Sequence, residues 1–565
     1  MMKKQLTGSY AVLECLKAEG VDTIFGYPGG AIIPIYDALY DYGDVFNHIL
    51  VRHEQAAAHA AEGYARVSGK PGIVFVTSGP GATNTITGIA DAMMDSTPII
   101  VISAQVASHF LGTDAFQETD LLGLTQPVTK WSYQVRKAED IPEAIARAFY
   151  IACNGRPGPV VLDITKDALL NSLDFQYKKC DAIRSYIPDP EPVEEEIEQA
   201  ACIINSAQKP LAIIGQGVIL AHAEEEVKAL LEKAKIPAAS TLLGLSALPS
   251  DHPLYKGMVG MHGNLGPNIK TNECDVLIAI GMRFSDRVTG NLKTYAKQAK
   301  VVHFDIDPSE LGKNVVPTLG ILGNVKETIP MVTDKIKKAS HDEWIASFAP
   351  LEKREYEHVF SKEVTPSEGP LHMGEVVRHV SDAAGRDAVL VTDVGQNQMM
   401  GSRYFQFGET RSNITSGGLG TMGFGIPAAM GAKIGAPERR VCLFLGDGGL
   451  QMTLEEFGTI MQSAIGVKII LLNNNKLGMV RQWQELFNQQ RYSFTDMVNP
   501  DFCKIAEAYG IRTARVEKRE DIDKSIQDMF SDDKAFLLVA ECEQMGMVYP
   551  MTPAGANVTD VMLEK

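Results

Sequence analysis

The chain has 565 residues, 45% hydrophobic and 22% charged, a length that predicts about three domains. A net charge of −17 excludes a nucleic-acid partner as the working expectation, because phosphate binding needs clustered Lys and Arg. Eight scattered cysteines with no CxxC pair argue for a reducing compartment and against a zinc site.

The N-terminus, MMKKQLTGSYAVLECLKAEG, lacks the apolar stretch of a secretory signal, and no run is long enough to cross a bilayer. The expectation is a cytoplasmic protein with no membrane partner. Short, nearly all-apolar runs follow. Ile73–Thr77, Ile99–Ser103 and Val160–Asp163 come first. Leu211–Ile214, Val276–Ile280 and Val301–Asp305 lie in the middle. Val389–Thr392, Val441–Leu445, Lys468–Leu472 and Phe536–Ala540 come last. Runs of this kind read as buried parallel strands, and their alternation with helical patterns implies α/β domains. Tyr186–Glu196 (YIPDPEPVEEE) reads as a linker that should not pack, and Ser340–Gly369 has no clear strand. The expected division is 1–183, 190–340 and 365–545, with a tail over 546–565. The first and third pieces are candidates for a shared fold.

Val441–Gly448 reads VCLFLGDG: a buried strand, then a sharp Gly446-Asp447-Gly448 turn, then MTLEEFGTIMQSA with helical periodicity. Ligands of open α/β sheets bind at the carboxyl ends of strands, where glycines let backbone approach phosphate. An Asp there suits Mg²⁺. The next strand ends in Asn473-Asn474-Asn475-Lys476, one strand–helix–strand unit further on. GDG alone also serves as a plain structural turn. GDG followed at this distance by NN resembles the thiamine-diphosphate motif. The resemblance implies that Asp447, Asn474 and the main chain of Lys476 hold Mg²⁺, with Gly446 and Gly448 against the diphosphate.

Arg52-His53-Glu54-Gln55 precedes an Ala-rich helix. An isolated Glu there would be a cap or a dipole partner. Thiamine chemistry offers another role, since ylid formation needs a carboxylate beside N1′ of the pyrimidine. GYPGGAIIPIYDAL (Gly26–Leu39), RHEQAAAHAAEGYAR (Arg52–Arg66) and TSGPGATNTITGIADA (Thr77–Ala92) resemble the first domain of the acetohydroxyacid synthases, also called acetolactate synthases. This resemblance covers nearly the whole chain. It implies three doubly wound parallel-sheet domains of the pyrimidine-binding, central FAD-type and diphosphate-binding kinds.

The resemblance also distributes roles. Glu54 matches the catalytic Glu and Gly30 the glycine turn facing the cofactor. Phe116 and Gln117, in GTDAFQETD, match the substrate pocket. Lys166, in GRPGPVVLDITKD, matches a lysine near the second site, though many such lysines are merely solvated. Met422, in GGLGTMGFGIPAA with Gly420, matches the bulky residue under the thiazolium; its bland reading is a core Met. Gly395-Gln396-Asn397 sits where the family often has Gly-Gln-His, so no acid–base role is assigned to Asn397. Arg287, in GMRFSDRVTGN, is a bidentate partner for the carboxylate of a second 2-keto acid. Trp483, in GMVRQWQELF, packs against its alkyl group. Alone, such an Arg is usually a surface residue and such a Trp a core residue.

PLAIIGQGVIL (Pro210–Leu220) has Gly215 and Gly217, but Leu stands where a dinucleotide fingerprint has its third glycine. By resemblance this segment marks a structural FAD site, with Thr241, Leu242, Met261, His262, Arg283 and Asp305. Asn324 stands where a Gly-Asp is common.

The implied activity is decarboxylation of pyruvate and transfer of the two-carbon fragment to pyruvate or 2-ketobutyrate, the start of branched-chain amino-acid synthesis. The implied cofactors are thiamine diphosphate, Mg²⁺ and FAD. The implied assembly is a homodimer or dimer of dimers with shared sites, plus a small regulatory subunit. The rivals are a flavin-linked pyruvate oxidase and a non-catalytic paralogue. Intact Glu54, Asp447 and Asn474 weigh against the second. Glu54 also counts against the glyoxylate-condensing relatives, which lack a carboxylate there.

Overall fold

Three six-stranded, all-parallel sheets form the frame of the computed structural model, which describes residues 4–565. The first holds β1 (Thr23–Gly26), β2 (Asn47–Leu50), β3 (Gly72–Val76), β4 (Ile99–Gln105), β5 (Trp131–Val135) and β6 (Val160–Thr165), in the order β2-β1-β3-β4-β6-β5. The second holds β7 (Pro210–Ile214), β8 (Ala238–Ser240), β9 (Tyr255–Met258), β10 (Val276–Ile280), β11 (Lys300–Asp305) and β12 (Leu319–Leu322), in the order β9-β8-β7-β10-β11-β12. The third holds β13 (Val389–Thr392), β14 (Asn413–Ile414), β15 (Val441–Gly446), β16 (Lys468–Asn473), β17 (Arg512–Val516) and β18 (Phe536–Glu541), in the order β14-β13-β15-β16-β18-β17. The first and third sheets therefore share one topology. The second has the strand order of a doubly wound dinucleotide-binding sheet. The expected α/β class with three parallel sheets holds.

The central strands are buried along their whole length. Helices cover both faces of sheets like these, which is why such strands are apolar throughout. The first and third sheets are joined by two helices, α1 (Glu54–Ser68) and α2 (Gly425–Gly435). The Ala-rich sequence of α1 favours helix, and Gly69 ends it at φ +74. Ala57, Ala60 and Ala61 share one apolar cluster with Ala428, Ala429 and Ala432. The backbones cross closely: a Cβ on Gly63 would lie 2.0 Å from the Ala428 carbonyl oxygen, and one on Gly431 would lie 1.8 Å from that of Ala60.

Three local expectations need correction. Tyr186 does pack: its ring lies 5.3 Å from Lys130 Nζ, and its hydroxyl donates to the Asn154 carbonyl at 2.5 Å. The aromatic ring gives an otherwise polar linker something to bury, and the linker ends in a helix that starts at Glu194. Asp447 does not sit in a sharp turn. It is the first residue of α3 (Asp447–Met452), and Gly446 is extended at φ −91. The helical pattern after it breaks at Thr453 and resumes over Phe457–Gln462.

Candidate active site at the strand carboxyl ends

The third sheet reverses its strand order between β13 and β15, the position where open sheets of this order bind ligands. Strand β15 pairs with β13 on one side and β16 on the other, with Gly446 opposite Leu472. Asp447 and Asn474 thus emerge next to one another. Asp447 is 1% exposed; its Oδ2 accepts from Asn499 Nδ2 at 2.6 Å, and its Oδ1 has no partner. Burial pushes its pKa upward. A buried carboxylate oxygen with no donor is what a bound cation would satisfy, so the residues fit Mg²⁺. Asn474 is buried; its Nδ2 donates to Gln396 Oε1 at 3.1 Å, and its Oδ1 accepts the Lys476 N–H at 3.2 Å. The Lys476 ammonium turns away to Asp496.

Gln396 also donates to the Gly546 carbonyl at 2.9 Å, tying the C-terminal segment to the site. Asn397 is committed to structure, its Nδ2 donating to the carbonyls of Asp393 and Phe444. Gly395 at φ +139 and Gly420 at φ +72 take backbone conformations open to glycine. A Cβ on Gly448 would meet Leu477 at 2.7 Å and Met422 Cε at 3.4 Å, so Met422 lies against α3. Asp393, buried at the end of β13, accepts the N–H groups of Gly423 and Gly425 and thereby fixes the turn that carries Met422.

The second sheet reverses between β7 and β10. There the Gly215 N–H donates to the Ile280 carbonyl and the Gly217 N–H to that of Gly281, both at 2.9 Å. A cavity of about 790 Å³ opens beside them, large enough for a sizeable cofactor. Gly217, Thr241, Leu242, Met261, His262, Arg283, Asp305 and Asn324 line it. Gly215 does not; it is packed against Gly281 and Met282. His262 is 5% exposed, neither ring nitrogen has a partner, and burial lowers its pKa to about 4. A buried imidazole without a hydrogen-bond partner beside an open crevice offers a ligand a polar contact, so the lining fits the flat ring of a flavin. The same cavity extends to Gly420, Arg287 and Trp483. Arg287 is 60% exposed at the rim, 3.5 Å from Asp286. Trp483 is half-buried, with its ring 5.0 Å from that of Phe487. The cavity therefore joins the central domain to the third.

The first sheet reverses between β1 and β3. Glu54 opens α1 here, accepts from Asn84 Nδ2 at 2.9 Å, and has its Oε1 3.4 Å from where a Gly81 Cβ would lie. Gly30 has open space where a side chain would project. Phe116 is 87% exposed, and Gln117 sits at φ +60 with its backbone against Gly79. Lys166 starts a short helix and is half-buried. Glu54, Phe116, Gln117 and Lys166 do not line the 790 Å³ cavity.

Several site residues carried no signal that reading one sequence would catch. Asn499 donates to Asp447, Asn473 and Asn475 from a loop with no motif. Asp393 sits in TDVGQ and was detectable only as a carboxylate at a strand end. Glu456 holds the backbone that leads into Glu54, from a helix more than 400 residues away in the chain.

Three family models match in order: the thiamine pyrophosphate enzyme N-terminal TPP-binding domain over residues 6–124, the central domain over 197–332, and the C-terminal TPP-binding domain over 393–540. The acetolactate synthase isozyme 2 large subunit of Escherichia coli (strain K12) is 42% identical over 561 residues, covering 99% of this chain and 100% of that protein. The probable acetolactate synthase large subunit of Methanocaldococcus jannaschii is 43% identical over 568 residues, covering 99% of this chain and 95% of that one. The acetolactate synthase large subunit of Lactococcus lactis subsp. lactis is 41% identical over 563 residues, covering 99% and 97%. Likeness of this degree along the whole chain, over three switch-point crevices of the matching kinds, makes the chain a member of the acetolactate synthase large-subunit family.

Proposed function

We propose that the chain decarboxylates pyruvate and joins the two-carbon fragment to a second pyruvate, giving 2-acetolactate, or to 2-ketobutyrate, giving 2-aceto-2-hydroxybutyrate. The observation that carries this reading is that one large cavity is lined both by Arg287 and Trp483 and by Gly420, Val394 and Gln398 beside the third sheet's switch point. Thiamine diphosphate, when bound, supplies the electron sink for the carbon that loses CO₂. Asp447 Oδ1, the Asn474 amide oxygen and the Lys476 carbonyl would hold Mg²⁺, which would supply charge neutralisation for the diphosphate. Met422 supports the ring that bears the reacting carbon. Glu54 holds a proton at N1′ of the pyrimidine. Arg287 binds the carboxylate of the incoming 2-keto acid, and Trp483 contacts its alkyl group. The central-domain residues hold FAD in a structural role, because the carboligation has no net redox change.

A second copy of the chain completes the site. Glu54, Phe116, Gln117 and Lys166 lie away from the cavity that holds Arg287 and Trp483. Phe116 stands 87% exposed on one chain, a large apolar side chain that pairing would cover. The working assembly is thus a homodimer or a dimer of dimers in the cytoplasm, with a small regulatory subunit alongside; the relatives are themselves named large subunits. No described helix is long and apolar enough to cross a membrane.

The test is a product assay with pyruvate, with and without 2-ketobutyrate, in thiamine diphosphate, Mg²⁺ and FAD. Acetolactate, joined by acetohydroxybutyrate when 2-ketobutyrate is present, is the expected result. Acetaldehyde or acetate instead would leave the thiamine site standing and overturn the reading of Arg287 and Trp483.

A further inference from the structure

The cavity wall made by Ser416–Gly420 has almost no secondary structure of its own, yet its first three residues are each tied down by the first domain. The Gly417 N–H donates to Asp95 Oδ2 and the Gly418 N–H to Asp95 Oδ1, both at 2.7 Å. Ser416 Oγ donates to Asp91 Oδ1 at 2.8 Å and accepts the Thr421 N–H at 2.8 Å. Arg66, on the last turn of α1, donates to the Thr415 carbonyl at 2.5 Å and to Asp95 at 2.8 Å. Asp91 and Asp95 are buried, at 0% and 1% exposure. Among the described residues Leu419 and Gly420 carry no such tie, and both line the cavity.

Asp95 lies between Met94 and Ser96, which line the same cavity, and turns inward from that wall. A Cβ on Gly418 would lie 2.8 Å from Asp95 and 3.3 Å from Arg283, so the anchored glycines set how closely the loop approaches Arg283. The chemistry demands a carboxylate. Two backbone N–H groups and one guanidinium need an acceptor with two oxygens, and an amide would turn its own NH₂ onto one of the glycine donors.

We infer that Asp95, with Asp91 and Arg66, is a positioning device by which the first domain sets the Ser416–Gly420 wall of the cofactor cavity. This rests on the proposed function, since it assigns that wall to the flavin and the second substrate. None of the three side chains is a catalytic residue. They act through the backbone of the loop. Helix α1 carries Glu54 on its first turn and Arg66 on its last, so one rigid element references both the proposed proton-transfer group and the cavity wall.

The test uses the full chain with Asp95→Asn, and with Ser416→Ala in case the first variant does not fold. Ser416→Ala removes the Asp91–Thr421 link and leaves the Arg66–Asp95 pair intact. Amide hydrogen exchange of the 415–421 peptide, FAD affinity by flavin fluorescence and thiamine-diphosphate affinity are measured together. Expected are exchange faster by about tenfold or more in that peptide, an FAD dissociation constant raised by about tenfold, and a thiamine-diphosphate constant changed by less than about threefold. A folded variant with unchanged exchange and FAD affinity overturns the inference, as does equal weakening of both cofactors, which marks general unfolding. Wild-type protein that takes up no FAD also overturns it. Failure of wild-type protein to make acetolactate, with the exchange and FAD results as expected, would instead overturn the functional reading alone.

Discussion

Glu456 Oε1 accepts the backbone N–H of Arg52 at 2.8 Å and that of His53 at 3.0 Å. A carboxylate of the third domain thereby holds the two residues before Glu54. Its other oxygen accepts from Thr459 Oγ1 at 2.5 Å. Glu456→Ala leaves two backbone donors unpaired, at about 1–3 kcal/mol for each buried one. It should also lower kcat at least tenfold by loosening Glu54. Glu456→Gln keeps an oxygen for both donors and should retain most activity. Steady-state rates and melting temperatures of the two variants check this.

The same residue sets a pH dependence. Burial raises the Glu456 carboxyl to about 7, and its hydrogen bonds only partly offset that. A carboxyl raised in the fold contributes stability that is present below its ordinary value of 4.5 and is lost as pH rises through about 7. Glu456→Gln cannot ionise. Its melting temperature relative to wild type should therefore rise between pH 5 and pH 8. A constant difference across that range would contradict the assignment.

For the metal site, Asp447→Ala removes a buried carboxylate oxygen that has no donor and should weaken Mg²⁺-dependent thiamine-diphosphate binding by about a hundredfold or more. Asn499→Ala leaves that oxygen in place and loses the donor shared by the other Asp447 oxygen, Asn473 and Asn475, so about a three- to tenfold loss is expected. Titration of the cofactor at several Mg²⁺ concentrations separates the two. Equal losses would mean that Asp447 is structural.

The helix crossing gives a stability prediction. Gly63→Ala and Gly431→Ala each drive a methyl group into a carbonyl of the facing helix, and helix backbones cannot yield as a flexible side chain would. Each should destabilise by about 1–3 kcal/mol or more and lower the melting temperature of the pair of domains that share that core. Unchanged melting would show that α1 and α2 can slide apart freely.

Every strand foreseen in the sequence is an interior one, but two further interior strands, β1 and β8, did not show: they are fully buried yet only four and three residues long, too short for an apolar run to stand out. β3, β4 and β6, β7, β10 and β11, and β13, β15, β16 and β18 all read as apolar runs, and all lie inside their sheets. The six edge strands did not show. Trp131–Val135 (WSYQV) and Arg512–Val516 (RTARV) are mostly half-exposed and carry polar residues, and Asn413–Ile414 has only two residues. An edge strand has solvent along one side and so lacks the continuous apolar pattern. The same limit applies to the site. Asp447 and Asn474 follow legible strands. Asn499, Glu456 and Asp95 act through contacts between residues far apart in the chain, and one sequence contains no record of those.

For Glu54, the pairing with Asn84 holds the carboxylate at the head of α1. Glu54→Gln should keep thiamine-diphosphate affinity within about threefold and slow exchange of the cofactor's C2 proton by about 10²–10⁴-fold, the range of a lost general acid–base group. Exchange at the wild-type rate would assign the proton transfer to another residue.

Arg287 and Trp483 line one cavity but should fail in different ways. In the proposed function Trp483 contacts the alkyl end of the second substrate, where pyruvate and 2-ketobutyrate differ by a single methylene. Such a contact discriminates by about 10–200-fold at most. Trp483→Leu should therefore change the ratio of acetohydroxybutyrate to acetolactate formed in competition, with a smaller effect on their total. In the proposed function Arg287 binds the carboxylate that both substrates carry, and its guanidinium at the cavity rim lies 3.5 Å from Asp286. Arg287→Ala should lower both products together and leave their ratio within about twofold. A shifted ratio in the arginine variant, or an unchanged one in the tryptophan variant, would reverse these two roles.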